Sequence, residues 1–176
     1  IIEIKNIARE AGSRSKVAVY SDDKNLDVKG ACIGRNGMRI QTIIDELQGE
    51  KIDIVLWNED VKEFVKNALN PAQVLSVEVV EEGEDNLKVA KVVVAENQLS
   101  LAIGKKGQNS RLAARLCGVK IDIHTKSDEV AESDEDELEE GSAFQDTLDE
   151  RENAEKNSDS FEVEESAFAG LGEDKE

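Results

Sequence analysis

Two tetrapeptides carry the residue types best suited to chemistry: Gly34-Arg35-Asn36-Gly37 and Gly104-Lys105-Lys106-Gly107. Each follows an isoleucine, Ile33 or Ile103, and each lies between two short apolar runs that read as helices. Glycine has no Cβ, so a Gly-x-x-Gly corner can turn sharply and bring bare backbone against a ligand. The second glycine opens a helix, whose first amides lack intrahelical partners and carry the positive end of the dipole. Such an end suits phosphate, and a cation at the x positions adds charge without base specificity. One such tetrapeptide marks only a turn; two with matching flanks imply a repeated function.

Other chemistry is poorly represented. Gly104-Lys-Lys-Gly-Gln-Asn-Ser lacks the Gly-x4-Gly-Lys-Ser/Thr spacing of a nucleotide-phosphate loop, and the lone His124 has no matched nucleophile. Asp23, Asn25 and Asp27 alternate like calcium ligands, but the sixth position of that loop is Val28 where glycine is needed. Cys32 and Cys117 are too few and too far apart for a disulfide framework or a zinc site, and read as buried free thiols in a reducing cytoplasm. No cofactor, no metal and no catalysis are expected.

The elements that must position the two tetrapeptides follow in order. Ile2-Glu-Ile-Lys and Lys16-Val-Ala-Val-Tyr20 read as a hairpin about Ala11-Gly12-Ser13, with a polar loop from Ser21 to Leu26. Asp27 is placed to cap a short helix ending at Ile33. After the first tetrapeptide, Ile40, Ile43, Ile44 and Leu47 form one apolar helical stripe, ended by Gly49. A strand follows from Lys51 to Trp57, with Trp57 packing at its end. Asn58 is expected to cap a helix bearing Val61, Phe64, Val65, Ala68 and Leu69, stopped by Pro71. A second hairpin, Leu75 to Val80 and Lys88 to Ala95, precedes a helix capped by Asn97 and running to Ile103. A helix to Cys117-Gly118 and a strand from Val119 to Thr125 close the pattern.

The pattern is an internal repeat. Lys16-Val-Ala-Val aligns with Lys91-Val-Val-Val, Gly34 with Gly104, and Lys51-Ile-Asp-Ile with the identical Lys120-Ile-Asp-Ile. Stripe positions 40, 43, 44 and 47 map to Ser110, Ala113, Ala114 and Cys117, so the second copy's helix should approach its sheet more closely. The second copy owns a leading helix at 59–70 that the first lacks. The chain also opens on Ile1-Ile2 without methionine, and together these read as a fragment whose first helix lies upstream.

Charge divides the chain. Residues 1–126 hold 19 basic and 19 acidic residues, whereas 127–176 hold 3 and 21, so the tail alone supplies the net −18. The global acidity therefore does not argue against a nucleic-acid partner for the repeats. The tail is expected to be disordered; within it Glu140-Gly-Ser-Ala-Phe144 echoes Glu164-Glu-Ser-Ala-Phe168. It reads as a solubilising segment, with competition against a nucleic acid for the basic loops, or presentation of Phe144 and Phe168 to a partner, as the sharper alternatives. No run of about eighteen apolar residues is present, so no membrane span is expected.

At Ile4 to Tyr20, Gly30 to Ile40 and Leu101 to Arg115 the sequence resembles tandem KH domains of the prokaryotic type, in which a hairpin precedes the glycine loop. It is similar in particular to the paired KH region of the NusA family of bacterial transcription elongation factors. The resemblance covers about residues 1–126. It implies an α+β fold of two tandem type II KH domains, at 1–58 (truncated at its start) and 59–126, followed by the disordered acidic tail 127–176. Each domain would be a three-stranded sheet with helices packed on one face.

KH loops clamp the backbone of about four nucleotides beside a groove that reads bases. Carried over by position, the clamps are Gly34, Arg35, Asn36, Gly37 and Gly104, Lys105, Lys106, Gly107, with Ile33 and Ile103 lining the grooves. Arg39, Gln108, Asn109 and Arg111 are candidates to reach phosphates or base edges. The first loop departs from the commoner basic pair at Asn36. The implied partners are single-stranded nascent RNA, RNA polymerase (mainly through regions absent from this fragment) and other transcription factors, for a cytoplasmic monomer with no membrane. The implied role is modulation of polymerase pausing, termination and antitermination. The alternative is a protein-interaction scaffold with structural glycine loops, supported by the neutral balance of residues 1–126.

Overall fold

The computed structural model of the protein describes residues 1–130; of the tail expected to be disordered at 127–176, residues 127–130 are helical, and the rest lies outside the described residues. Residues 1–126 form one compact unit. Strand β1 (Glu3–Glu10) pairs antiparallel with β2 (Arg14–Tyr20), and β2 pairs parallel with β3 (Lys51–Leu56). Between β2 and β3 come α1 (Val28–Ile33), a single tight turn at Arg35–Gly37, and α2 (Met38–Glu46). After α3 (Val61–Ala68) the order repeats: β4 (Ser76–Glu82), β5 (Leu87–Val94), α4 (Leu99–Ile103), a turn at Lys105–Gly107, α5 (Gln108–Cys117) and β6 (Lys120–Thr125). The second sheet repeats the pairing, β4–β5 antiparallel and β5–β6 parallel. The two-copy fold read from the sequence is therefore present in full over residues 1–126.

Local boundaries differ where two signals compete. Strand β1 runs to Glu10, well past the alternating Ile2 to Lys5. Asp60, not Asn58, caps α3 through the Lys62 amide; Asn58 instead accepts from the Asp60 amide at 2.8 Å and forms the turn before the cap. Both types cap helices well, and the chain uses one for the turn and the other for the helix. Asn97 likewise is absorbed into a short turn at Glu96–Gln98, so α4 starts at Leu99 without a side-chain cap. Asp27 does cap α1, accepting from the Gly30 amide, and Asp23 accepts from the Asn25 amide. Trp57 packs edge-on to Tyr20 and against Phe64, as expected for a strand-end aromatic. Cys32 and Cys117 are free and half-buried, not fully buried.

Helix α5 explains the small residues of the second copy. It touches β6 of its own sheet and also β1 and β2 of the first. Its Ser110, Leu112, Ala113 and Leu116 are all buried, and Ala8, Ala18 and Val55 of the first sheet join the same core as Val65, Leu69 and Leu112. The close approach inferred from Ala113 and Ala114 is thus made to both sheets. Strand β2 is consequently buried on both faces, with Ser15, Lys16, Ala18 and Val19 all covered. Lys16 is wholly enclosed; its Nζ donates to Asp53 Oδ2 at 3.0 Å and to the Asn70 carbonyl at 3.3 Å. Lys91, at the same place in the second repeat, stays half exposed beside Glu82. Burial pushes the Lys16 ammonium pKa down, against the pull of Asp53, and pushes the nearby Cys117 thiol up to about 12.

The first repeat keeps an uncovered apolar face. Ile7 stands opposite Val17 as Val77 stands opposite Val92, yet Ile7 is 53% exposed and Val77 only 7%. Ile43 of α2 is 47% exposed where its counterpart Ala113 is fully buried. The clean α2 stripe is therefore only partly covered, and no α2 residue is buried. In the second repeat α3 packs on β4 and α5; no counterpart of α3 precedes β1 among the described residues.

Two outcomes follow from this packing. Ile43→Gln should change the unfolding free energy by less than about 1 kcal/mol, while Ala113→Gln, which overfills a shared seam and buries an amide, should cost about 3 kcal/mol or more in denaturant titrations. The second concerns Glu50, enclosed with its carboxylate accepting from Arg9, the Gly12 amide and Ser15 Oγ. The Arg9 bond first, then the Gly12 amide and Ser15, hold its pKa at about 2, below the ordinary 4.5. A depressed carboxyl stabilises the fold above its unfolded pKa, and that contribution fades as pH falls from about 4.5 to about 2. Glu50→Gln should flatten the acid limb of stability against pH in that window.

Candidate nucleic-acid interface

The two corners share one unusual backbone. Gly34 and Gly104 both have φ 79°, with ψ 171° and 173°. That region is essentially closed to other residues. Space forbids a side chain too: a Cβ on Gly34 would meet Arg39 Cβ at 2.6 Å, and one on Gly104 would meet Asn109 Cβ at 2.8 Å. The third loop residue is left-handed in both copies, Asn36 at φ 54° and Lys106 at φ 55°. The fourth is left-handed glycine, Gly37 and Gly107, each at φ 72°. A Cβ on Gly37 would meet open space, so only its backbone angle demands glycine. Gly37 and Gly107 open α2 and α5, and no side chain caps either helix.

The departure at Asn36 has a conformational reason. Asparagine tolerates left-handed backbone, whereas lysine pays for it. The second loop holds a cation in a strained position; the first relaxes the strain and gives up the charge. Arg35, Asn36, Lys105 and Lys106 are all exposed, and among the described residues Arg35, Lys105 and Lys106 make no ion pair. Ile33 and Ile103, half-buried, end the helices that lead into the loops.

The residues just past each loop are held by protein. Arg39 is exposed, and its Nη1 donates to the Ala31 carbonyl at 2.5 Å. Asn109, its counterpart, is 7% exposed and donates to the Leu69 and Ala102 carbonyls at 3.0 and 2.9 Å. Each thus ties its helix back to the one before the corner. Gln108 Nε2 donates to Glu10 Oε2 and Ser13 Oγ, both at 2.7 Å. Arg111 Nε donates to Glu10 Oε1, and its Nη1 to the Lys106 carbonyl at 3.0 Å. The Arg111 bond, aided by Gln108, holds the Glu10 carboxyl below its usual pKa against the opposing effect of burial. Glu10 and Ser13 carry no motif, and only the packing of one repeat on the other brings them here.

Two three-stranded mixed sheets, each carrying a helix–GxxG–helix corner after its second strand, define a tandem pair of type II KH domains. Residues 1–57 match the NusA-like first KH domain and residues 61–131 the NusA-like second KH domain, so the chain belongs to the NusA-like KH family. It is 54% identical over 127 residues to the transcription termination/antitermination protein NusA of Halalkalibacterium halodurans, covering 72% of this chain and 32% of that protein. The NusA proteins of Bacillus subtilis (55% over 127 residues; 72% and 33%) and Thermus thermophilus (54% over 135 residues; 77% and 33%) are similar to the same degree. The chain spans about a third of the length of these curated relatives. The crystal structure of APE1850 superimposes with a TM-score of 0.54 at 27% identity, covering 70% of this chain and 88% of that one.

The strain at position 106 is open to measurement. Lys106→Asn should raise the unfolding free energy by about 0.5 kcal/mol, and Lys106→Val should lower it by about 1 kcal/mol, in urea titrations.

Proposed function

We propose that residues 1–126, as two modules divided near residue 58, grip extended single-stranded RNA. The clamps are Gly34, Arg35, Asn36, Gly37 and Gly104, Lys105, Lys106, Gly107, with Ile33 and Ile103 at the base grooves. The observation that carries this reading is the duplicated corner. One Gly-only backbone recurs 70 residues apart with its cations exposed and unpaired. Lys106 adds weight, because asparagine at that position would spare the fold its strain.

The neutral balance of residues 1–126, the best support for a protein-docking scaffold, has a structural account. Many of the basic residues are engaged elsewhere, as in Arg9–Glu50, Arg14–Asp53, Lys16–Asp53, Lys66–Glu63 and Arg111–Glu10. These pairs take up acidic and basic groups together, so the neutral sum conceals a local excess of cations at the corners, where Arg35, Lys105 and Lys106 are exposed and, among the described residues, make no ion pair. Of the four residues beyond the loops, Arg39 keeps its exposure and is retained as a phosphate contact. Gln108, Asn109 and Arg111 act chiefly by holding the second loop, and Gln108 and Arg111 lie close enough to it to touch bound RNA.

In the cell this binding serves transcription, as part of an elongation factor that modulates RNA polymerase pausing, termination and antitermination. The relatives' names, transcription termination/antitermination protein, support the termination and antitermination part of that role; polymerase is taken to be met mainly through regions that this chain does not span. The role is binding, not catalysis, by a cytoplasmic monomer that can meet other transcription factors. Among the described residues no helix is long and apolar enough to cross a membrane.

If Arg35, Arg39, Lys105 and Lys106 neutralise phosphates, the log–log salt dependence of RNA affinity should have a slope of about −3. Lys105→Asp with Lys106→Asp should weaken binding to an unstructured oligoribonucleotide severalfold at fixed salt without unfolding the protein. Unchanged affinity, with the fold intact by circular dichroism, overturns the reading.

A further inference from the structure

The second loop is braced from the first repeat; among the described residues, the first loop has no such brace from the second. Glu10 and Ser13 flank the β1–β2 turn. Gln108, immediately after Gly107, bonds both of them, and Arg111 spans from Glu10 to the backbone of Lys106. Glu10 is the shared acceptor. The turn that presents it is itself fixed: Ser13 N donates to the Glu10 carbonyl at 3.0 Å, Gly12 N to Glu50 Oε1 at 2.8 Å, and Lys51 N to the Ser13 carbonyl at 3.0 Å. The counterparts of Gln108 and Arg111 in the first repeat are Met38 and Gln41. Met38 is 69% exposed, and Gln41 bonds Asp45 within its own helix.

We propose that Glu10 is a positioning residue for the second RNA clamp: its carboxylate fixes Gln108 and Arg111, and through them the Lys105-Lys106 backbone, so the grip of the second module depends on the first. This rests on the RNA-binding reading above. Its sign runs against simple electrostatics. Glu10 places a negative charge near the path of a polyanion, so removing it should by Coulomb's law alone tighten RNA binding. Positioning requires the reverse.

The test compares Glu10→Ala, Glu10→Gln and the parent chain with a short unstructured oligoribonucleotide at fixed salt, alongside the Lys105→Asp, Lys106→Asp double variant. Glu10→Ala should weaken binding roughly tenfold, the loss expected when a charge-assisted bond that fixes a loop is removed. Glu10→Gln keeps one oxygen for Arg111 and should fall between that variant and the parent. In the free protein, amide resonances of Lys105 to Gly107 should shift in both variants while those of Arg35 to Gly37 stay in place. Equal or tighter binding by both Glu10 variants overturns the proposal. If the double variant keeps its affinity, the RNA reading itself fails, and the free-protein resonances then decide: unmoved Lys105 to Gly107 signals overturn the positioning role as well. Should Glu10→Ala not fold, the same comparisons are made on Glu10→Gln.

Discussion

Helix α5 must fit between two sheets, and most of what is distinctive in the second repeat follows from that. A helix covered on one side can carry isoleucines, as α2 does at Ile40, Ile43 and Ile44. A helix pressed between layers needs small residues on its contact faces to keep native packing density, hence Ser110 and Ala113. The same pressure encloses Asn109, whose NH2 group finds the carbonyls of Leu69, Leu101 and Ala102, while among the described residues its buried Oδ1 has no hydrogen-bond partner. It also seals Lys16 beneath the second repeat, where its ammonium is tolerated because Asp53 and the Asn70 carbonyl receive it.

Against this asymmetry of packing, the corners are nearly identical. The backbone angles of Gly34 and Asn36 match those of Gly104 and Lys106 to within about 3° although only the glycines of the tetrapeptides are shared in sequence. The first glycine is demanded twice, by its φ and ψ and by the Cβ of the residue five positions on. The second is demanded by its φ alone in the first repeat. A change at Gly34 or Gly104 would therefore disturb fold and ligand approach together. The x positions differ between the copies, Arg35-Asn36 against Lys105-Lys106, without changing the corner's backbone.

The repeat, its strands and its corners were legible because each is written locally: alternation for strands, apolar spacing for helices, paired glycines for turns. Caps were legible only to within two or three residues where Asn58 and Asp60 compete. The seam was not legible. No local pattern says that one face of β2 will meet a second module, so Lys16 and Lys91 look alike in sequence and end in opposite environments. For the same reason the protein bonds that hold Gln108, Asn109 and Arg111 could not be read from their place beside the loop. Their bonds to Glu10, Ser13 and Leu69 join residues 40 to 101 positions apart.

The two hairpins have come to differ in freedom. The β4–β5 turn has every one of residues 83–86 exposed among the described residues, so inserted residues there would extend into solvent. The β1–β2 turn is exposed as well at residues 11–13, but it is bonded to Glu50 through Gly12 N and to Gln108 through Ser13 Oγ, and one added residue would separate Glu10 from Ser13. Once two copies of a duplicated unit lean on each other, drift in length is confined to the copy whose turn nobody touches. A peptide tag or probe spliced into this protein would be accommodated at 83–86 and rejected at 11–13.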